Sequence, residues 1–291
     1  MRLLITGGNG FVGKNLVEYF SEKYEVLAPS HKELELLDGK AVEKFLKKNK
    51  VEIIIHTAVK GGSRKLPSYP DMLKENLKIF FNLASNSKYY KKMIFLGSGA
   101  EYNKSKEIRQ VKEEDIGKNV PNDDYGFYKY VCSKYIELSD NIINLRIFGV
   151  FGKYEDYEIR VISNIICRVL FDLPVEINQN AVFDFVYIGD LCRIIEYFIE
   201  NNAKEKFYNV GAEKHIELVE IADKIRRISK KNFQIKIKMS GMNKEYTCDN
   251  SRLSKEIKNF KFTDIDKAIN LFYDWYLENK ENIKKENLLK Y

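Results

Sequence analysis

Reduction at a carbonyl carbon needs an acid that protonates the oxygen. Tyrosine serves only if its hydroxyl, with an ordinary pKa of about 10, is brought nearer neutrality. A lysine four residues later on a helix shares the same face, and its ammonium favours the phenolate. This spacing occurs at Tyr19/Lys23, Tyr102/Lys106, Tyr125/Lys129, Tyr130/Lys134 and Tyr276/Lys280. In a chain with 19 tyrosines, spacing alone selects nothing. Context selects one pair. Tyr19 falls on a first helix and is expected to face away, Tyr276 on a terminal helix, and Tyr102 in a polar loop. Tyr130 lies about 140° around the helix from Tyr125. Tyr125 opens a helix after the loop at 119–124, where its hydroxyl can reach a crevice. Ser98 leaves an apolar run in Gly97-Ser98-Gly99 and can orient the same carbonyl oxygen. By itself it reads as a turn serine bonded to local backbone, so its role depends on Tyr125 and Lys129.

The second chemical feature is Thr6-Gly7-Gly8-Asn9-Gly10-Phe11-Val12-Gly13. It follows a strand-like run and precedes a helical pattern. Gly7, Gly10 and Gly13 let the backbone turn tightly and approach a ligand, while Phe11 and Val12 open the helix whose free N–H groups attract a pyrophosphate. After the second strand-like run comes Ala28-Pro29-Ser30-His31-Lys32, with no carboxylate at the strand end to accept from a ribose 2′-OH. Ser30, His31 and Lys32 suit a 2′-phosphate, so NADPH is the expected coenzyme, with NAD(H) the alternative. The lone histidines His56 and His215 are given no catalysis.

These residues need a scaffold. Strand-like runs at 2–6, 25–28, 51–56, 92–96 and 142–147 alternate with helix-spaced segments such as 40–48 and 76–85. That alternation predicts an α/β fold: a doubly wound parallel (Rossmann) sheet over 1–150, its ligand crevice beyond the strands' carboxyl ends. Residues 151–291 read mainly as a smaller C-terminal α/β substrate-binding lobe, with some segments returning to the sheet. The 291 residues are 44% hydrophobic and 31% charged. No apolar run is long enough for a membrane span and no signal peptide fits, so a cytoplasmic protein with no membrane partner is expected. Cys132, Cys167, Cys192 and Cys248 show no CxxC spacing, which supports neither disulfides nor a metal. The net charge of +7 suits an anionic ligand; lysines interleaved with glutamates read as solvated faces rather than a nucleic-acid surface.

Together, the glycine turn, Ser98 and Tyr125/Lys129 resemble the extended short-chain dehydrogenase/reductase group, the NAD(P)-dependent epimerase/dehydratase family. Leu145-Arg146-Ile147-Phe148-Gly149 and Tyr208-Asn209-Val210-Gly211 resemble later segments of that family. Residues 33–38 and 273–279 are most similar to its GDP-L-fucose synthase-like nucleotide-sugar 4-ketoreductases. The resemblance implies that Asp38 meets the adenine, Ala58 lines the dinucleotide cleft, and Asn76 helps hold Lys129 and the nicotinamide side. It also implies a homodimer through the helices at 77–87 and 125–139. The departures discriminate among reactions. The family's 4,6-dehydratases carry Asp-Glu after the catalytic Ser/Thr, where this chain has Gly99 and Ala100, with Glu101 one place out of register. The Cys/His pair that epimerises C3 and C5 corresponds to Ala100 and Arg160. Phe183 stands where many relatives carry a diphosphate-binding arginine. Arg160 and Arg252 are the candidate substrate contacts beside Ser98 and Tyr125. The expectation is NADPH-dependent reduction of the C4 ketone of a GDP-linked 4-keto-6-deoxy hexose or heptose, for surface polysaccharide (capsule) synthesis, without C3/C5 epimerisation. The alternatives are a 4-epimerase with tightly held NAD and a non-catalytic dinucleotide sensor.

Overall fold

Ile53, Ile54 and Ile55 are consecutive and all buried, which a strand permits only where helices cover both faces of its sheet. The computed structural model, which describes residues 1–61, 65 and 68–290, has that arrangement. The chain runs β1 (Arg2–Thr6), α1 (Phe11–Ser21), β2 (Glu25–Leu27), α2 (Gly39–Asn49), β3 (Ile53–His56), α3 (Met72–Ala84), β4 (Lys92–Ser98) and α4 (Asp124–Ile136). Strands Ile142–Ile147 and Phe207–Val210 complete a six-stranded parallel sheet. In space the order is Phe207–Val210, Ile142–Ile147, β4, β3, β1, β2. Strand order reverses between β1 and β3, and a crevice opens at such a switch point.

Alternate residues of each strand feed two cores. Leu3, Ile5, Ile55 and Leu96 pack with Leu16 and Phe20 of α1 and with Ile194 and Phe198 of the helix Ile188–Glu200. Leu4, Ile54 and Phe95 face the other way, onto Leu46 of α2, Phe80 of α3 and Tyr128 of α4. Each such aliphatic or aromatic side chain contributes about 1.5–3 kcal/mol when fully buried. The late strand Phe207–Val210 and the helix Ile188–Glu200 therefore return to the parallel sheet.

A third core, with Phe151, Ile166, Ile221, Ile269 and Phe272, holds together the helices Val161–Leu170, Leu218–Ser229 and Ile265–Glu278. A ribbon of Val175–Asn180 and Ile235–Met242 covers it. The two halves are stitched by a small mixed sheet in which Ile108–Val111 pairs in parallel with Tyr246–Cys248. The terminal helix anchors through Phe272, Tyr273 and Tyr276, all buried. No helix among the described residues is long and apolar enough to cross a membrane.

Candidate active site

The glycine turn is built from backbone. Gly7 leaves β1 at φ +72, a conformation that costs glycine nothing, and its carbonyl accepts from Gly10 N at 2.9 Å. A Cβ on Gly13 would run into the Gly7 carbonyl oxygen, and one on Gly7 would come 2.8 Å from Ala58 Cα. Gly10 is the N-cap of α1 and supplies no side-chain cap, so the first N–H groups of the helix stay available to an anion. The donors and the room that a dinucleotide pyrophosphate requires are both present. The residues fit the group.

A cavity of about 950 Å³ opens beside this turn at the carboxyl ends of β1, β3 and β4. Gly7, Gly10, Phe11, Val12, Gly13, Ser30, His31, Ala58, Ser98, Tyr125, Lys129 and Arg160 all line it. Tyr125 and Lys129 are brought in by α4, which Asp123 starts by accepting from Gly126 N at 2.9 Å. Ser98 ends β4, two residues beyond the expected strand end, and caps the 3-10 turn Gly99–Tyr102 by accepting from Ala100 N at 3.1 Å. The Ser98 hydroxyl also sits beside the phenols of Tyr125 and Tyr246 and works against the rise that burial imposes on both.

The electrostatics differ from the expected tyrosine–lysine couple. Burial raises the Tyr125 phenol, while the Ser98 hydroxyl and the charge of Arg160 pull it down. Lys129 is itself lowered by burial, to about 8. Its ammonium donates to the Leu96 carbonyl and lies 6.0 Å from the centroid of the Tyr125 ring.

Four implied contacts are corrected. Asp38 is exposed and outside the cavity lining; its carboxylate accepts from Lys40 N and Ala41 N as the N-cap of α2. Asn76 does not reach Lys129. It is buried in α3 and clamps the backbone of Lys60, accepting from its N–H at 2.9 Å and donating to its carbonyl at 2.8 Å. Lys32 is exposed and lies outside the cavity lining, unlike Ser30 and His31. Arg252 pairs with Glu113 and Glu114 at a separate surface hollow, so it does not line the cavity either. Glu33 folds back on Ser30, accepting from its N–H at 2.7 Å and its hydroxyl at 2.8 Å. Tyr102 is not in a polar loop but buried, donating to Asn209.

Apart from Phe183, the other lining residues described below carried no signal in the sequence. Tyr246 arrives through the stitch of Tyr246–Cys248 onto Ile108–Val111, a long-range pairing that no local pattern encodes. Phe183, stacked on Phe185 at 5.6 Å, forms an aromatic wall with Tyr246. Glu155 is buried in the lining, and its Oε2 has no hydrogen-bond partner among the described residues. Burial raises its carboxyl to about 8, against the opposing charge of Arg160. Lys104, Lys106 and Lys244 bring positive charge to the wall.

Known proteins resemble this chain in sequence and in fold. The chain is 29% identical over 309 residues to GDP-L-colitose synthase of Yersinia pseudotuberculosis, covering 97% of this chain and all of that one. A GDP-L-fucose synthetase from Naegleria fowleri, solved bound to NADP, superposes with a TM-score of 0.85 at 18% identity, over 98% of this chain and 95% of the other. MlghC, a GDP-mannoheptose C4 reductase from Campylobacter jejuni solved with NADP, superposes with a TM-score of 0.79 at 22% identity, over 95% and 98%. The sequence profile of one family matches residues 3–211. Because that match runs from β1 through the strand Phe207–Val210, and so takes in the whole parallel sheet and the Ser98–Tyr125–Lys129 corner, the chain belongs to the NAD dependent epimerase/dehydratase family.

Proposed function

We propose that this protein is an NADPH-dependent 4-ketoreductase acting on a nucleoside-diphosphate 4-keto-6-deoxy sugar, GDP-linked and either hexose or heptose, without C3/C5 epimerisation. The observation that carries the reading is that Ser98, Tyr125 and Lys129 share the wall of the cavity that also contains the glycine turn. The relatives named for GDP-sugar synthesis and C4 reduction support the substrate class.

Gly7, Gly10, Gly13 and the N–H groups of α1 hold the coenzyme's pyrophosphate, and Ser30 and His31 face the ribose end of the cavity. NADPH is the preferred coenzyme because Glu33, the nearest carboxylate in that segment, is tied down on Ser30. When bound, the dihydronicotinamide supplies the hydride that reduces C4. Tyr125 delivers a proton to the developing alkoxide, Ser98 orients the carbonyl oxygen, and Lys129 carries the positive charge beneath them. Ala100 has no group to exchange a proton, and a guanidinium has donors and no acceptor, so Arg160 offers no base. The reduction is therefore not coupled to epimerisation. The same reading has the protein act in the cytoplasm as a homodimer through α3 and α4, in surface polysaccharide synthesis.

The test is turnover of GDP-, dTDP-, UDP- and CDP-linked 4-keto-6-deoxy sugars with NADPH, followed by loss of NADPH absorbance. Stoichiometric oxidation with a GDP-linked member is expected. A protein that purifies with bound NAD and interconverts two sugars without added coenzyme would be an epimerase, and the proposal would be wrong.

A further inference from the structure

Glu101 stands one place beyond the Asp-Glu position of the dehydratases, and the reduction gives it nothing to do. It is nonetheless fully buried, as is Arg146 on the next strand, and Arg146 Nε donates to Glu101 Oε2 at 2.7 Å. A buried ion pair is weak grounds for stability, because desolvation offsets most of the attraction. Its other bonds point to a different use. Glu101 Oε1 accepts from the backbone N–H of Ser98 at 3.0 Å. Arg146 Nη2 donates at 2.8 Å to Ser133 Oγ, and Nη1 donates to the Tyr102 hydroxyl at 3.0 Å and the Glu113 carbonyl at 3.3 Å. Asn144 donates to both Glu101 oxygens, at 3.3 and 3.1 Å.

Ser133 lies on α4 one turn beyond Lys129 and two beyond Tyr125, on the same face of the helix. One carboxylate and one guanidinium thus bridge the turn that carries Ser98 to the helix that carries Tyr125 and Lys129. Gly97 leaves room for the bridge, since a Cβ there would collide with Asn144 Oδ1 and Glu101 Oε1. Neither Glu101 nor Arg146 lines the cavity. We propose that the buried Glu101–Arg146 pair is a positioning device that sets the Ser98 hydroxyl against the Tyr125 hydroxyl by tying the Ser98 turn to α4. The inference rests on the ketoreductase reading for its effect on rate, but its geometry can be tested without that reading.

The experiment is a double-mutant cycle on the full chain. NADPH and GDP-linked 4-keto-6-deoxymannose serve as substrates, or whichever member of the panel above turns over fastest. Glu101→Gln keeps an oxygen for the Ser98 N–H but leaves Arg146 without its anion. It should lower kcat at least tenfold, with KM and NADPH affinity within twofold of wild type. In a Ser98→Ala background the same substitution should change kcat by less than twofold. Multiplying effects, or a Glu101→Gln enzyme within twofold of wild type, would overturn the inference. If Glu101→Gln does not fold, Arg146→Lys is read the same way. A Ser98→Ala enzyme with full activity instead counts against the ketoreductase reading. Crystal structures decide the geometry without substrate: the Ser98 hydroxyl should move away from the Tyr125 hydroxyl in Glu101→Gln, and an unchanged separation would refute the positioning role.

Discussion

The coenzyme side and the substrate side of the cavity are made of different material. The coenzyme side is mostly backbone: Gly7, Gly10 and Gly13 within one turn, and the uncapped start of α1. The substrate side is mostly side chains from segments far apart in sequence, with Tyr246, Phe183, Glu155 and Arg160 meeting Ser98 and Tyr125. Backbone sites depend on local conformation and tolerate no added bulk. Side-chain sites depend on which strands pair, so their chemistry changes by substitution while the coenzyme site stays as it is.

The largest break in this comparison should come from Tyr125→Phe. Removing the positioned acid is expected to lower turnover by about 10² to 10⁴ while NADPH affinity, read by fluorescence, stays unchanged. Turnover within twofold of wild type would remove Tyr125 from the chemistry. Gly13→Val should act on the opposite half. The added carbons collide with the Gly7 carbonyl, so NADPH affinity should fall at least about 100-fold, which is about 2.7 kcal/mol. Normal NADPH binding in that variant would relocate the pyrophosphate site.

Glu155 sharpens the substrate half through pH. Burial holds its carboxyl at about 8, against about 4.3 in an unfolded chain. The folded protein keeps a proton there that the unfolded chain releases, so this contribution to stability is full below about pH 4.3 and is lost as pH rises towards 8. Glu155→Gln cannot lose that proton. Its thermal midpoint should match wild type near pH 5 and exceed it near pH 8.5; parallel curves would show that the group is ionised throughout. The smallest effect belongs to Asp38→Ala. Loss of the α2 cap should cost about 1 kcal/mol in a denaturant titration. The KM for NADPH should not move, and a large rise would return Asp38 to the adenine.

How much was legible follows the same division. The parallel sheet was readable because Ile53-Ile54-Ile55 and its counterparts are runs of a type that only a sheet covered on both faces accepts. The glycine turn was readable because four of the seven residues at 7–13 are glycines, two of them where a side chain would collide with the backbone of the turn or of Ala58. Tyr125 stood out from its competitors by the loop before it, not by its spacing to Lys129. For Lys129 a shared helix face says where the two side chains start, while the Leu96 carbonyl decides where the ammonium ends. Asp38 and Arg252, expected at the cleft, both lie outside the cavity lining. Each satisfies a local partner, the α2 N-terminus in one case and Glu113 and Glu114 in the other.

By itself the sequence determined the order of strands and helices, the anion-binding turn and the residue types available for acid chemistry, because each follows from periodicity or from local backbone freedom. Tertiary structure decided which of those residues meet. Tyr246 reaches Ser98 only through a parallel pairing between the two halves, and Glu101 meets Arg146 only because β4 and Ile142–Ile147 lie side by side. Contacts between residues distant in sequence depend on strand neighbours and register, and no window of sequence encodes either one.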